Sequence, residues 1–145
     1  MKNLFDVSGK TALVTGGSRG IGLMIARGFV ENGVKTYISS RKVEACEAVE
    51  KELSEIGECI AIPMDLSTVE GCEQLAAALS EREERLDILV NNAGATWGAA
   101  IDEFPEQGWD KVVDINLKGP FFLTQKLLPL LRASASQAST LREEM

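Results

Sequence analysis

Short apolar runs alternate with amphipathic stretches along the 145 residues. Thr11–Thr15 (TALVT) has the character of a short buried strand. Ile21, Met24, Ile25, Phe29 and Val30 then fall on one helical stripe, which Asn32-Gly33 closes. Residues 35–40 read as a second strand. Cys46, Val49, Leu53 and Ile56 mark a second helix, stopped by Gly57. Residues 59–63 read as a third strand, and Cys72, Leu75, Ala76 and Leu79 mark a third helix. Residues 87–90 (DILV) read as a fourth strand, followed by a loop rich in Gly, Ala and Asn. A long fourth helix is expected from about Trp109 to Arg132, with a kink or break at Pro120 and Pro129. Strands alternating with helices imply parallel pairing through right-handed crossovers. The fold class is therefore α/β, a doubly wound parallel sheet. Residues 133–145 are small, polar and charged, with no further strand, and are expected to form a disordered tail behind a folded part at 1–132.

Composition narrows the functions. The net charge is −7, from 22 acidic and 15 basic residues, which argues against a general nucleic-acid surface. There is no histidine, and the three cysteines (Cys46, Cys59, Cys72) form no CxxC pair. Zinc sites and thiol–base pairs lose their usual partners, so no metal is expected and the thiols read as reduced and structural. The N-terminus lacks the apolar run of a signal peptide, and polar residues interrupt the most apolar stretch, residues 112–131. The chain reads as soluble, cytoplasmic and without a membrane partner.

The chemistry concentrates in TGGSRGIG, Thr15–Gly22, between the first strand and the first helix. Four glycines in eight residues leave room for a ligand to approach the backbone. Free N–H groups at a helix start favour anions, so this is a phosphate loop. Gly16 permits the turn out of the strand, Gly20 the approach of a pyrophosphate, and Gly22 close helix–sheet packing. No Gly-Lys-Ser/Thr follows, which excludes a P-loop. The second strand ends in Ser40-Arg41, where NAD-binding proteins usually place an acid. Arg41 could hold a 2′-phosphate, Ser40 could add a hydrogen bond, and Arg19 adds a second charge in the loop. NADP(H) is expected over NAD(H), a solvated surface arginine being the plainer reading of Arg41. Asp65-Leu66 ends the third strand; its carboxylate either meets an adenine or caps the next helical region. NNAG, Asn91–Gly94, ends the fourth strand, either lining a ligand crevice or serving as turn chemistry.

TGGSRGIG, DL at 65–66, NNAG and INLKGPFF (Ile115–Phe122), in this order, resemble the classical short-chain dehydrogenases/reductases from about Phe5 to Leu131. Within that family, GATWGAA and LLPLLRASAS are most similar to 3-oxoacyl-[acyl-carrier-protein] reductase-like members of the rhamnolipid-biosynthesis type. The resemblance implies the first half of a Rossmann sheet, four strands in the order 3-2-1-4 plus the long helix. It implies an NADP(H)-dependent oxidoreductase that reduces a carbonyl, a 3-oxoacyl thioester or similar, to an alcohol. Gly16, Ser18, Gly20, Ile21 and Gly22 would line the pyrophosphate and nearby ribose. Arg19, Ser40 and Arg41 would read the 2′-phosphate, and Asp65 and Leu66 the adenine. Asn92, Ala93 and Gly94 would follow the adenosine ribose. Asn116 matches the catalytic Asn that anchors a water; otherwise it is a polar residue satisfying backbone groups at a kink.

The family also needs a Ser and a Tyr-x-x-x-Lys pair from later in the chain. The 145 residues contain one tyrosine, Tyr37, and Arg41 four residues on imitates the motif. On a strand that step spans about 13 Å, so the two do not pair as they would on a helix. The chain alone is therefore expected to lack turnover. The unpaired far edge of the fourth strand and the long helix are expected to favour a homo-oligomer or marginal stability. The competing readings are a non-catalytic NADP(H)-binding or interaction module and a methyltransferase, the latter disfavoured by Ser40-Arg41. Trp97 either approaches substrate or packs within its loop.

Overall fold

A computed structural model describes residues 3–144, so the first two residues of the folded part and Met145 of the expected tail lie outside the described residues. Four strands, β1 (Thr11–Thr15), β2 (Lys35–Ser39), β3 (Cys59–Ala61) and β4 (Ile88–Val90), form one sheet in the order β3-β2-β1-β4. Every pairing is parallel, with Leu13 opposite both Tyr37 and Leu89. The connecting helices are α1 (Gly20–Glu31), α2 (Val43–Leu53) and α3 (Val69–Ser80). This is the expected partial Rossmann sheet.

Alternation along the strands builds two cores. Leu13 and Tyr37 face a cluster completed by α3 residues Cys72, Leu75 and Leu79 and by Leu123 and Leu127. Val14 and Ile38, one residue on, face the opposite cluster with Ala26, Val30, Val49 and Leu53. Period-two side-chain direction on a sheet covered on both sides produces this split.

The buried face of α1 differs from the expected stripe. Gly22, Ala26 and Val30 are its buried residues, whereas Ile21 and Met24 are about 70% exposed. Small residues win the inner face because the helix lies close to the sheet. Asn32-Gly33 ends α1 as expected, with Gly33 at φ 76°. Ile56 lies beyond α2 and is exposed.

The long helix is divided. A 3₁₀ turn (Ile101–Glu103) precedes α4 (Glu106–Val113), a π segment spans Asp114–Lys118, and α5 runs from Gly119 to Glu143. Pro120 stands in the first turn of α5, where its missing N–H is tolerated. Its ring would clash with the carbonyl four residues back, that of Asn116, and the widened turn accommodates it. Pro129 sits inside α5 without ending it. The chain past Arg132, expected as a disordered tail, continues as helix. Its Ser134 hydroxyl donates to Asp87 at 2.6 Å, and Arg85 donates to Gln137. No helix among the described residues is long and apolar enough to cross a membrane.

Candidate functional site

The C-terminal ends of β1, β2 and β4 open onto a cleft of about 600 Å³. Its rim begins at the loop after β1. Gly16 adopts φ 65°, and a Cβ there would lie 2.9 Å from Asn92 Nδ2. Gly20, the first residue of α1, adopts φ 54° with open space above it. A Cβ on Gly22 would come within 2.1 Å of the Gly16 carbonyl oxygen. The glycines therefore have distinct jobs: Gly16 turns the chain beside β4, Gly20 leaves the helix start uncovered, and Gly22 lets the helix abut the loop.

A buried hydroxyl ties the strand ends together. Thr15 Oγ1 donates to the Val90 carbonyl at 3.3 Å and accepts from the amides of Asn92 (3.0 Å) and Ala93 (2.9 Å). Asn92 Nδ2 donates back to the Thr15 carbonyl at 3.1 Å. Asn92, Ala93 and Gly94 are thus held along the cleft wall.

Arg19, Arg41, Lys42 and Lys111 line the cleft against one carboxylate, Asp114. On a chain of net charge −7 this is a local reversal of sign. Among the described residues, none of Arg19, Arg41 and Lys42 forms an ion pair. Unpaired cations converging on one cleft favour an anionic ligand. Ser18 donates to Ser40 at 2.9 Å on the same rim. Leu66, buried beneath, supplies apolar floor.

Other expected residues lie elsewhere. Gly20, Ile21, Gly22, Asp65 and Asn116 are not among the cleft-lining residues. The Asp65 carboxylate accepts from the Ser67 hydroxyl (2.7 Å) and amide (3.0 Å). Those bonds hold its carboxyl below the usual carboxylate range, with Arg41 adding to the effect. The cap of α3 is Thr68, which accepts from the Gly71 amide. Asn116 lies in the π segment. Its amide donates to the carbonyls of Ala95 (2.7 Å) and Val112 (2.9 Å), and its oxygen accepts from the Ala95 amide (3.3 Å). The side chain thereby clamps the loop after Gly94 onto the broken helix. Trp97 packs against Gly108, with Lys111 over its ring at 5.6 Å.

Tyr37 is buried on the α3 side of the sheet, away from the cleft lining. Its hydroxyl donates to Glu83 at 2.7 Å. Burial and that carboxylate push its pKa well above the ordinary tyrosine value. It is no proton donor for this cleft.

A sequence profile described as short chain dehydrogenase matches residues 10–140. The rhamnolipids biosynthesis 3-oxoacyl-[acyl-carrier-protein] reductase of Pseudomonas aeruginosa is 51% identical over 142 residues, covering 98% of this chain and 56% of that protein. An NADP active-site complex of Pseudomonas aeruginosa RhlG superimposes with a TM-score of 0.88 at 52% identity, covering 92% of this chain and 52% of that one. A metagenomic short-chain oxidoreductase in complex with NADP gives 0.81 at 36% identity, over 86% and 57% of the two chains. The chain spans about half the length of the curated relatives it matches.

Proposed function

Since the chain belongs to the short-chain dehydrogenase family, we propose that it is the NADP(H)-holding half of a carbonyl-reducing oxidoreductase. The observation that carries this reading is the convergence of Arg19, Arg41 and Lys42, free of ion pairs among the described residues, with Ser40 on one cleft bordered by Gly16 and Gly94. The residues fit the cofactor. The uncovered start of α1 suits a pyrophosphate, and the cationic end of β2 suits a 2′-phosphate. The rhamnolipid-type relative supports a 3-oxoacyl thioester as the substrate class of the whole protein.

When bound, NADPH supplies a hydride, while the protein must supply position and a proton. Thr15 and Asn92 hold the cleft wall; Asn116 holds the loop beyond it. We assign Asn116 a positioning role toward the proton relay. No Tyr-x-x-x-Lys occurs within the 145 residues, and Tyr37 faces the wrong side of the sheet. These residues alone therefore bind cofactor without turnover. Three free, buried thiols, with Cys59 pushed up to about 11 by burial, support a reducing, cytoplasmic setting. Exposed Trp109, Leu117 and Phe121 support self-association through α4, the π segment and α5.

Titrating NADPH and NADH into the chain, followed by nicotinamide fluorescence, tests the reading. NADPH is expected to bind more tightly, with no reduction of a 3-oxoacyl thioester. Equal affinities would refute the cofactor assignment.

A further inference from the structure

The sheet ends at β3 on one side, and the outward edge of that strand is where a further strand would add. Toward β2, the Glu58 carbonyl accepts from the Thr36 amide at 3.0 Å and the Ile62 amide donates to the Ile38 carbonyl at 2.9 Å. Backbone groups alternate sides along a strand, so Cys59 and Ala61 present theirs outward. Side chains of α2 meet them there. The Glu50 carboxylate accepts from the Ala61 amide at 2.5 Å, and the Ser54 hydroxyl donates to the Cys59 carbonyl at 3.2 Å.

The match has a geometric cause. Glu50 and Ser54 lie four residues apart at the end of α2, about 6 Å along a helix axis. Cys59 and Ala61 lie two residues apart on a strand, about 6.6 Å. Because α2 runs antiparallel to β3, the earlier helix residue meets the later strand residue. Val49 and Leu53, one position back on the helix, are buried in the core. Their packing anchors α2 and holds the two polar residues over the edge.

We propose that Glu50 and Ser54 are an edge lock: they occupy the outward amide and carbonyl of β3 and keep a second copy of this chain from adding a strand there. An incoming strand needs the same donor and the same acceptor, and must displace both side chains to reach them. Neither residue lines the cleft, so the lock is independent of cofactor binding.

Sedimentation velocity on the full 145-residue chain, with circular dichroism to confirm the fold, tests the lock. Glu50→Ala combined with Ser54→Ala is expected to associate beyond the wild type, reaching about twice its weight-average mass at the same concentration, as an opened edge implies. Glu50→Gln keeps an acceptor for the Ala61 amide and is expected to hold the wild-type mass. Ala61→Pro, added to the double alanine variant, deletes the outward amide without touching a bond to β2, and is expected to restore the wild-type mass. A double alanine variant that folds and keeps the wild-type mass overturns the proposal. So does extra association that survives Ala61→Pro, because it then arises from exposed core and not from the edge. Should the double variant fail to fold, Glu50→Ala alone is held to the same two comparisons.

Discussion

Gly22 and Gly28 lie on the same helix, yet a methyl group at each should have opposite effects. At Gly22 it would enter the space of the Gly16 carbonyl. Overpacking there is expected to destabilise Gly22→Ala by about 1–3 kcal/mol and to disturb the phosphate loop. At Gly28 nothing lies within 4 Å, so Gly28→Ala should gain about 0.5–1 kcal/mol from helix propensity alone. Thermal unfolding of both variants measures the contrast. Arg41 carries a different prediction, because its interaction is with the ligand. Arg41→Asp removes a charged donor and adds repulsion, and should cost about tenfold or more in NADPH affinity while sparing NADH. Competitive titration reads this directly. Glycines and arginines are legible in the sequence because their spacing has few other physical uses. Thr15 and Lys42 carry no such signal. A threonine at a strand end is ordinary, and its three partners, Val90 on β4 and Asn92 and Ala93 in the loop after it, lie some 75 positions away. Lys42 enters the cleft only because α2 starts there.

The element whose extent the sequence obscures is α5. Its second half is small and polar, the composition of a tail, because its partners are polar too. The Leu86 amide donates to the Leu130 carbonyl, and Ser134 meets Asp87. Asp87 also accepts from the Thr11 amide at 2.8 Å, so one carboxylate joins the starts of β1 and β4 to this helix. Burial raises its pKa, but the Ser134 hydroxyl, the Thr11 amide and the Arg85 and Lys10 charges outweigh burial, and the net shift is downward. A carboxylate with a lowered folded pKa stabilises the fold above its unfolded pKa and loses that contribution as pH falls through the folded value. Asp87→Asn should therefore lower the melting temperature at neutral pH. The gap from wild type should close only below about pH 3.8, in a series of thermal melts from pH 7 to 3. Strands are easier to read than this helix, since Ala12–Val14 is a continuous apolar run between two threonines. The division at residues 114–118 is half legible: Pro120 announces a break, but the break falls before it, where the clash with the Asn116 carbonyl would occur.

At the scale of the molecule, the cleft is complete on the side of β1 and β2, and apolar surface is left over elsewhere. β4 pairs with β1 alone among the described residues, and all three of its residues are half-buried. Leu117 and Phe121, four residues apart on one helical face, are 68% and 63% exposed, and Trp109 on α4 is 63% exposed. These three large apolar side chains, exposed along one helical arm, are the candidate surface for self-association. None of these three side chains is among the cleft-lining residues, although Lys111 and Asp114 of the same arm are, so association and cofactor binding should be separable. Phe121→Glu together with Leu117→Glu should shift the chain from dimer to monomer in sedimentation equilibrium, because two buried carboxylates without partners would oppose the contact. NADPH affinity should stay within about twofold, since neither residue lines the cleft. A wild-type chain that sediments as a monomer at all concentrations would remove the helical arm as an interface. Loss of NADPH binding in the double variant would instead mean that assembly shapes the cleft.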